Sequence, residues 1–362
     1  MLPDECPRAG QGRETLTAGP TDAPVMSDLL DALPAAGRAA LRSSPPQDWA
    51  PPTLATLTAR RFSDPEWLFE RKFDGERCLG YRRGGEVRLL SRNRKRLDGT
   101  YPEVAEALGR ESAADLVVDG EIVAFERGRT SFARLQRRMQ VRDREAARRS
   151  GIAVFYYVFD LVHLGGYDTT DLPLRLRKRL LRRALTYREP LRYSVHRNTD
   201  GEAFHREACR RGWEGVIAKR ADSRYVGRRS ADWLKFKCTN QQEVVIGGFT
   251  EPAGTRVGFG ALLIGFHAGE DLVYAGKVGT GYDTETLLDL RRRLDGLRQD
   301  EPPFVGVRPR QGGVHWVRPE LVAQVAFTEW TEDAKLRHPR FVGLRRDKAP
   351  GEVVRELPVR EP

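Results

Sequence analysis

Short apolar and alternating runs fill the stretch from about residue 65 to 240. Trp67–Phe73, Glu86–Ser91, Leu116–Phe125, Ala153–Leu161, Val216–Lys219 and Trp233–Cys238 are rich in β-branched and aromatic residues and predict strands. Ala133–Ser150 and Leu174–Thr186 repeat Leu, Ala and Arg with a helical period, and Phe204–Arg211 predicts a third helix. Strands and helices mix without a regular β-α-β rhythm. The pattern therefore predicts an α+β fold with antiparallel sheets, not a doubly wound one.

After Lys237 the texture changes. Glu243–Phe249, Ala261–His267, Leu272–Val278, His315–Val317 and Leu321–Thr328 predict short strands, with one helix over Thr284–Leu297. Five short strands and a helix suggest a Greek-key barrel of the OB-fold kind. Residues 1–45 are rich in Ala, Gly, Pro, Ser and Thr and show little periodicity, which predicts a disordered leader. Within it, Met26 opens MSDLLDALP, an alternative start with a short helix after it. The expected layout is a leader at 1–45, an α+β domain at 46–240 and a β-barrel domain at 241–362.

Charge sharpens this division. Net charge is +11, but residues 46–240 hold 41 Lys/Arg against 27 Asp/Glu, while both flanks are slightly acidic. A basic middle suits polyanions such as nucleic acid, nucleotides or an anionic membrane surface. An Arg-rich proteome explains the same excess. No run of eighteen apolar residues predicts a membrane span, and the first twenty residues lack the apolar stretch of a secretory signal. Cys6, Cys78, Cys209 and Cys238 lie far apart without a C-x-x-C. That spacing argues against a thiolate zinc site or a disulfide framework and suits a reducing cytoplasm.

Six segments carry candidate chemistry. In Glu70–Arg77, Glu70, Lys72 and Asp74 fall on one face of a strand. Alone, a lysine between carboxylates is a salt-bridged surface ladder. Asp119-Gly120-Glu121 places acids on an apolar strand, where they need a partner, a cap or a metal. Phe155, Tyr157 and Phe159 share a face, as core or as a ring that stacks on a base. Gly212–Arg220 sets Glu214 before an apolar strand and Lys219 near its end. Lys235 and Lys237 share a face and repel each other unless an anion, most naturally a polyphosphate, sits between them. Arg345-Arg346-Asp347-Lys348 alone is a solvated charge run.

Taken in order, these segments resemble the motif set of the covalent nucleotidyltransferases, which include ATP-dependent DNA ligases, RNA ligases and mRNA-capping guanylyltransferases. The K-x-D-G element is Lys72-Phe73-Asp74-Gly75. Spacings of 49 residues to Glu121, 93 more to Glu214 and 21 more to Lys235 fit that set. SFARLQRRM (131–139), GWEGVIAKR (212–220), SRYVGRRSADWLKFKC (223–238) and VGFGALLIGFHAGEDLVYAGKVGTGYD (257–283) resemble bacterial ATP-dependent DNA ligases of the ligase C and ligase D type. The resemblance covers residues 50–355.

The resemblance implies a nucleotidyltransferase (adenylation) domain followed by an OB-fold. It implies that Lys72 attacks the α-phosphate of ATP and carries AMP, so its amine must be unprotonated and its pKa depressed. Lys235 and Lys237 would neutralise the phosphates. Glu121 would bind the ribose and lie close to a metal, and Glu214 would position a divalent cation, Mg²⁺ or Mn²⁺. Phe159 would stack on adenine. Arg77 and Arg92 would contact nucleotide or nick phosphate, Glu70 would lie at the adenine edge, and Lys219 would belong to the nucleotide-binding set. Arg345, Asp347 and Lys348 would close over ATP and orient pyrophosphate, with a hinge near Cys238–Gln242. The implied substrate is nicked or broken duplex DNA in repair. A monomer in the cytoplasm, at the nucleoid when acting, with a Ku-type partner and no membrane, completes the expectation.

Where such ligases often show S-R-N-G, this chain has Ser91-Arg92-Asn93-Arg94. Either the turn differs or Asn93 takes the strained position. Arg137–Arg149, with six arginines and two acids, is a solvated helix or a phosphate-contacting surface. Two other readings compete: an RNA ligase or capping-type enzyme, and a non-catalytic nucleic-acid-binding protein. No G-x-x-x-x-G-K-[ST] is present, which argues against a P-loop ATPase.

Overall fold

The computed structural model of the chain describes residues 26–31, 33–111, 115–306 and 313–357. Its first part is built on two sheets. One follows the order Arg42–Ser43, Tyr167–Asp168, Val154–Leu164, Leu116–Glu126, Glu76–Arg83 and Glu86–Ser91. The other runs His196–Asn198, Trp67–Lys72, Gly215–Arg220, Arg229–Lys237 and Leu54–Leu57. Neighbours are mostly antiparallel, but Leu54–Leu57 pairs in parallel with Arg229–Lys237.

The alternating pattern explains which faces are wet. In Leu116–Glu126 the run Leu116–Gly120 is buried on both faces: Leu116 and Val118 join the core that Val104 and Leu108 of the helix Pro102–Gly109 fill, and Val117 joins a second cluster with Leu79, Tyr81 and Phe159. The helix Leu174–Ala184 adds Leu176, Leu180 and Leu181 to that core. The single helix expected over 133–150 is two, Phe132–Met139 and Arg144–Arg149. Asp143 interrupts it by accepting a hydrogen bond from the Ala146 amide at 2.8 Å, which starts a new helix. Within this arginine-rich run Arg138 is buried and paired with Glu103, and Arg148 pairs with Glu106.

The short helix expected after Met26 is present, but the disordered-leader reading needs correction from there onward. Met26–Asp31 and Ala35–Ala39 are helices, and Leu29 and Leu33 are buried in the main core of the first part. Small residues at 35–40 mask this amphipathic pair in a compositional reading. Residues 1–25 lie outside the described residues.

The second part is an OB-fold. Its sheet runs Asp271–Val278, Leu262–Ala268, Asn240–Thr250, Val314–Phe327 and Arg298–Gln299, with Arg340–Arg345 also paired to Val314–Phe327. The helix Thr284–Asp295 buries Leu287, Leu290 and Leu294, three and four residues apart, into this barrel core. The two strands expected at 315–317 and 321–328 are one 14-residue strand. No helix is long and apolar enough to cross a membrane among the described residues.

The cysteine reading also needs correction. Cys209 and Cys238, 29 positions apart, are bonded as a disulfide. The helix Gly201–Arg210 packs on the strand Gly215–Arg220, beside the end of Arg229–Lys237, and so brings the two thiols together. His205 lies beside them, with Nε2 within hydrogen-bonding distance (3.2 Å) of the Lys237 carbonyl. Cys78 is buried and free, and Cys6 lies outside the described residues.

Candidate active site

Lys72 ends the strand Trp67–Lys72. Gly215 pairs with Lys72 on one side and with Lys237 on the other; Ile217 pairs in the same way with Glu70 and Lys235. Alternation therefore turns Glu70, Lys72, Lys235 and Lys237 to one face. Just after Lys72 the chain turns sharply: a Cβ at Gly75 would lie 2.2 Å from the Ile122 carbonyl oxygen. This close approach is why glycine ends the K-x-D-G element. Phe73 stacks on Tyr157, with ring centroids 4.1 Å apart, and this fixes the residue that follows the lysine.

The opposite wall comes from the other sheet. Arg77, Glu121 and Phe159 line the same cavity as Glu70, Lys72, Lys219 and Lys235. Arg92 and Arg345-x-Asp347-Lys348 close it from the far side. An adjoining cavity adds Asp74, Glu214 and Lys237. Every residue to which the resemblance gives a role thus borders one of two adjoining cavities between the sheets and the OB-fold, whereas Asp119, Phe155, Tyr157 and Arg346, also singled out from the sequence, line neither.

The contacts refine individual roles. The Lys72 ammonium is hydrogen-bonded to Glu214. Burial works to lower its pKa, but Glu214, Asp74 and Glu121 outweigh burial and raise it. The expectation of a depressed lysine is therefore reversed in this state, because Glu214 sits on the amine. The other oxygen of Glu214 is buried without a hydrogen-bond partner. Burial pushes Glu121 up to about 8 and Asp74 up to about 6. An unpaired buried carboxylate oxygen among crowded acids is a donor set suited to a hard divalent cation.

Arg77 is committed to Asp119 through two hydrogen bonds, 2.5 and 2.6 Å, and its guanidinium lies 4.5 Å from the Phe159 ring centroid. The Lys219 ammonium lies 4.2 Å from Phe159 and 4.1 Å from Trp233. Burial lowers Lys219 to about 8. Glu70 is buried and saturated: it accepts from Lys178 at 2.6 Å, Ser194 at 3.0 Å and Lys219 at 3.1 Å. Burial opposes its charge, yet the two ammoniums bring it down to about 2. Glu70 thus holds Lys219 in place beside the aromatic slot.

Lys235 and Lys237 have the anion between them that their geometry demands. It is the Glu356 carboxylate, 2.5 Å from Lys235 and 2.8 Å from Lys237. Burial brings Lys235 down to about 8 although Glu356 works to raise it. From the OB-fold, Arg345 is bidentate to Asp347, and Lys348 pairs with Glu243. The turn at Ser91–Lys95 places the left-handed residue at Arg94, φ 59°, and not at Asn93. Arg94 sits over the Trp49 ring at 5.1 Å, which offsets part of the cost of that backbone.

Sequence reasoning missed Lys178, Glu243 and Glu356. Lys178 sits within a Leu/Arg helix, and Glu243 and Glu356 sit in ordinary charge patterns, so no local signal marks any of them. Their partners are 105 to 121 residues away in the chain.

Residues 52–237 match the family described as ATP dependent DNA ligase domain, and residues 255–348 match the ATP dependent DNA ligase C terminal region. The chain is 38% identical over 327 residues to the multifunctional non-homologous end joining protein LigD of Pseudomonas aeruginosa, covering 88% of this chain and 38% of that protein. It is 40% identical over 314 residues to the multifunctional non-homologous end joining DNA repair protein LigD of Mycobacterium tuberculosis, covering 84% and 40%. The chain thus spans about two fifths of the length of these curated relatives. A solved structure described as mycobacterial DNA ligase D complexed with ATP and MES is similar at 37% identity and TM-score 0.61, covering 85% of this chain and 98% of that one.

Proposed function

Since this chain belongs to the ATP-dependent DNA ligase family, we propose that it seals 5′-phosphate/3′-hydroxyl breaks in duplex DNA through a lysyl-AMP intermediate. One observation supports this most: Lys72 from the first part and Arg345, Asp347 and Lys348 from the OB-fold line one cavity. A nucleotide between them would meet a nucleophile on one side and a phosphate-orienting group on the other.

In this reading the base occupies the slot of Phe159, Trp233 and Lys219. Lys235 and Lys237 take the charge of the phosphates, and Arg345 and Lys348 bear on the leaving pyrophosphate. Lys72 attacks the α-phosphorus as the bond to pyrophosphate breaks. AMP then passes to the 5′-phosphate of the break, and the 3′-hydroxyl displaces it. Before the first step Lys72 must release the proton that Glu214 helps it keep. Glu214 and Glu121 would hold Mg²⁺ or Mn²⁺, whose charge would compete with the ammonium for Glu214 and neutralise phosphate oxygens. The OB-fold swings away after adenylylation so that DNA can enter, pivoting near 238–242. By analogy with the end-joining proteins it resembles, we assign the chain to break repair on nucleoid DNA in the cytoplasm, as a monomer beside a Ku-type partner.

The test is self-adenylylation of the purified chain with Mg²⁺ and α-labelled ATP or GTP, beside Lys72→Ala. The expected result is label from ATP, absent in the variant and discharged by nicked DNA with sealing. Label from GTP alone moves the chain to the capping class. No label, with pre-adenylylated protein excluded by mass, leaves a nucleic-acid-binding protein without this chemistry.

A further inference from the structure

The anion that separates Lys235 from Lys237 belongs to the chain itself, on a segment built to hold it there. After Arg340–Arg345 the chain makes a short 3-10 turn at Pro350–Glu352 and buries Val353 completely in a cluster of the OB-fold. The His267 amide donates to the Val353 carbonyl at 2.7 Å. Gln242, itself buried, grips the next residues from both sides: its amide donates to the Val354 carbonyl at 3.0 Å, and its oxygen accepts from the Glu356 amide at 3.1 Å. Arg355 lies over the Trp330 ring at 4.5 Å. These contacts aim the Glu356 carboxylate across the junction between the two parts, onto both lysines. Lys237 is further held by donating to the Gln241 carbonyl at 2.9 Å.

We propose that Glu356 is an internal occupant of the phosphate seat: its carboxylate competes with the triphosphate of ATP for Lys235 and Lys237. The inference rests on the ligase reading, which places the phosphates at these lysines. Two charge-assisted hydrogen bonds must be exchanged for phosphate contacts when nucleotide binds. The exchange weakens ATP binding but never leaves two buried like charges facing each other. Because Glu356 rides on the OB-fold, its contact also keeps the two parts together before nucleotide arrives. Opening of the junction draws it out of the seat. The segment thus sets the ATP concentration at which the site loads.

The test compares wild type with Glu356→Gln and Glu356→Ala as full-length chains of checked melting temperature. Two quantities are read: the ATP concentration giving half-maximal self-adenylylation, and the binding of inorganic tripolyphosphate by calorimetry. The expected result is a fall of about tenfold in half-saturating ATP and a matching gain in tripolyphosphate affinity in both variants. Unchanged or weaker tripolyphosphate binding in the variants overturns the proposal. A wild type that takes no label at saturating ATP, yet binds tripolyphosphate more weakly than the variants, sinks the ligase reading and leaves the competing carboxylate standing.

Discussion

The side-chain amide of Asn93 donates to the main-chain carbonyl of Asp347 at 2.9 Å, across 254 positions of sequence. Lys95 makes a parallel contact with the Arg346 carbonyl, also at 2.9 Å. The turn after the strand Glu86–Ser91 therefore holds the OB-fold loop by its backbone in the closed arrangement. Asn93→Ala is expected to lose about 1 kcal/mol of closed state, or roughly fivefold in the rate of self-adenylylation. Sealing of a nick already carrying AMP, which does not need this loop over ATP, should keep its rate. Single-turnover assays of the two steps separate them, and equal losses in both would refute the role.

Glu70 is the sole carboxylate within hydrogen-bonding distance of both Lys178 and Lys219 among the described residues. Glu70→Gln leaves two buried ammoniums without their counter-charge and is expected to cost about 3–5 kcal/mol of folding stability. Adding Lys178→Met to that variant removes one of the stranded charges and should recover part of the loss. Urea unfolding of the three chains reads this directly, and a double variant no more stable than Glu70→Gln contradicts it.

Glu76 accepts a hydrogen bond from the buried Tyr101 hydroxyl at 2.5 Å. Burial nevertheless pushes its carboxyl up to about 7. Between pH 4.5 and 7 the folded protein keeps a proton there that the unfolded chain gives up. The folded state then binds more protons, so this group's contribution to stability falls as pH rises through that window and is level above it. The whole effect is at most about 3 kcal/mol. Glu76→Gln should flatten that part of the stability curve, measured by urea midpoints at pH 5, 6 and 7.

The Cys209–Cys238 bond closes a loop of 29 positions. Chain-entropy reasoning gives it roughly 3–4 kcal/mol. Mild reduction is expected to lower the unfolding midpoint accordingly. Alkylation of the native, unreduced chain should leave both cysteines unmodified, and peptide mapping that finds either one alkylated denies the bond.

The nucleotidyltransferase pattern was legible because it is written on strands. Alternation along apolar runs put Lys72 on one face with Glu70 and Asp74, and Lys235 on one face with Lys237; Glu214 stood out only as an acid before an apolar strand, and the order of the motifs joined these pieces. The groups that surround them were not legible. Lys178 reaches Glu70 from a helix, Glu356 reaches Lys235 from the segment after the last barrel strand, and Glu214 pairs with Lys72. Each is a tertiary contact between residues more than 100 positions apart, and no local preference records it. The same holds for Leu29 and Leu33, whose burial depends on the core they meet rather than on the residues around them.

The sheet that carries Lys72 is assembled from distant pieces. Trp67–Lys72 is flanked by His196–Asn198 and by Gly215–Arg220, and Leu54–Leu57 pairs with Arg229–Lys237. Lys72 and its partner Gly215 are 143 positions apart. During synthesis the lysine strand therefore emerges from the ribosome long before either neighbour exists, with both backbone edges unpaired. High separation of this kind slows folding and leaves the edge open to wrong pairing while the chain grows. The glutamate, arginine and lysine that end this strand, Glu70, Arg71 and Lys72, then act as gatekeepers: their charges discourage association of Trp-Leu-Phe with other nascent strands until residues 196–237 arrive. Two of these charges, Glu70 and Lys72, thus serve the site in the finished protein and keep the unfinished one soluble.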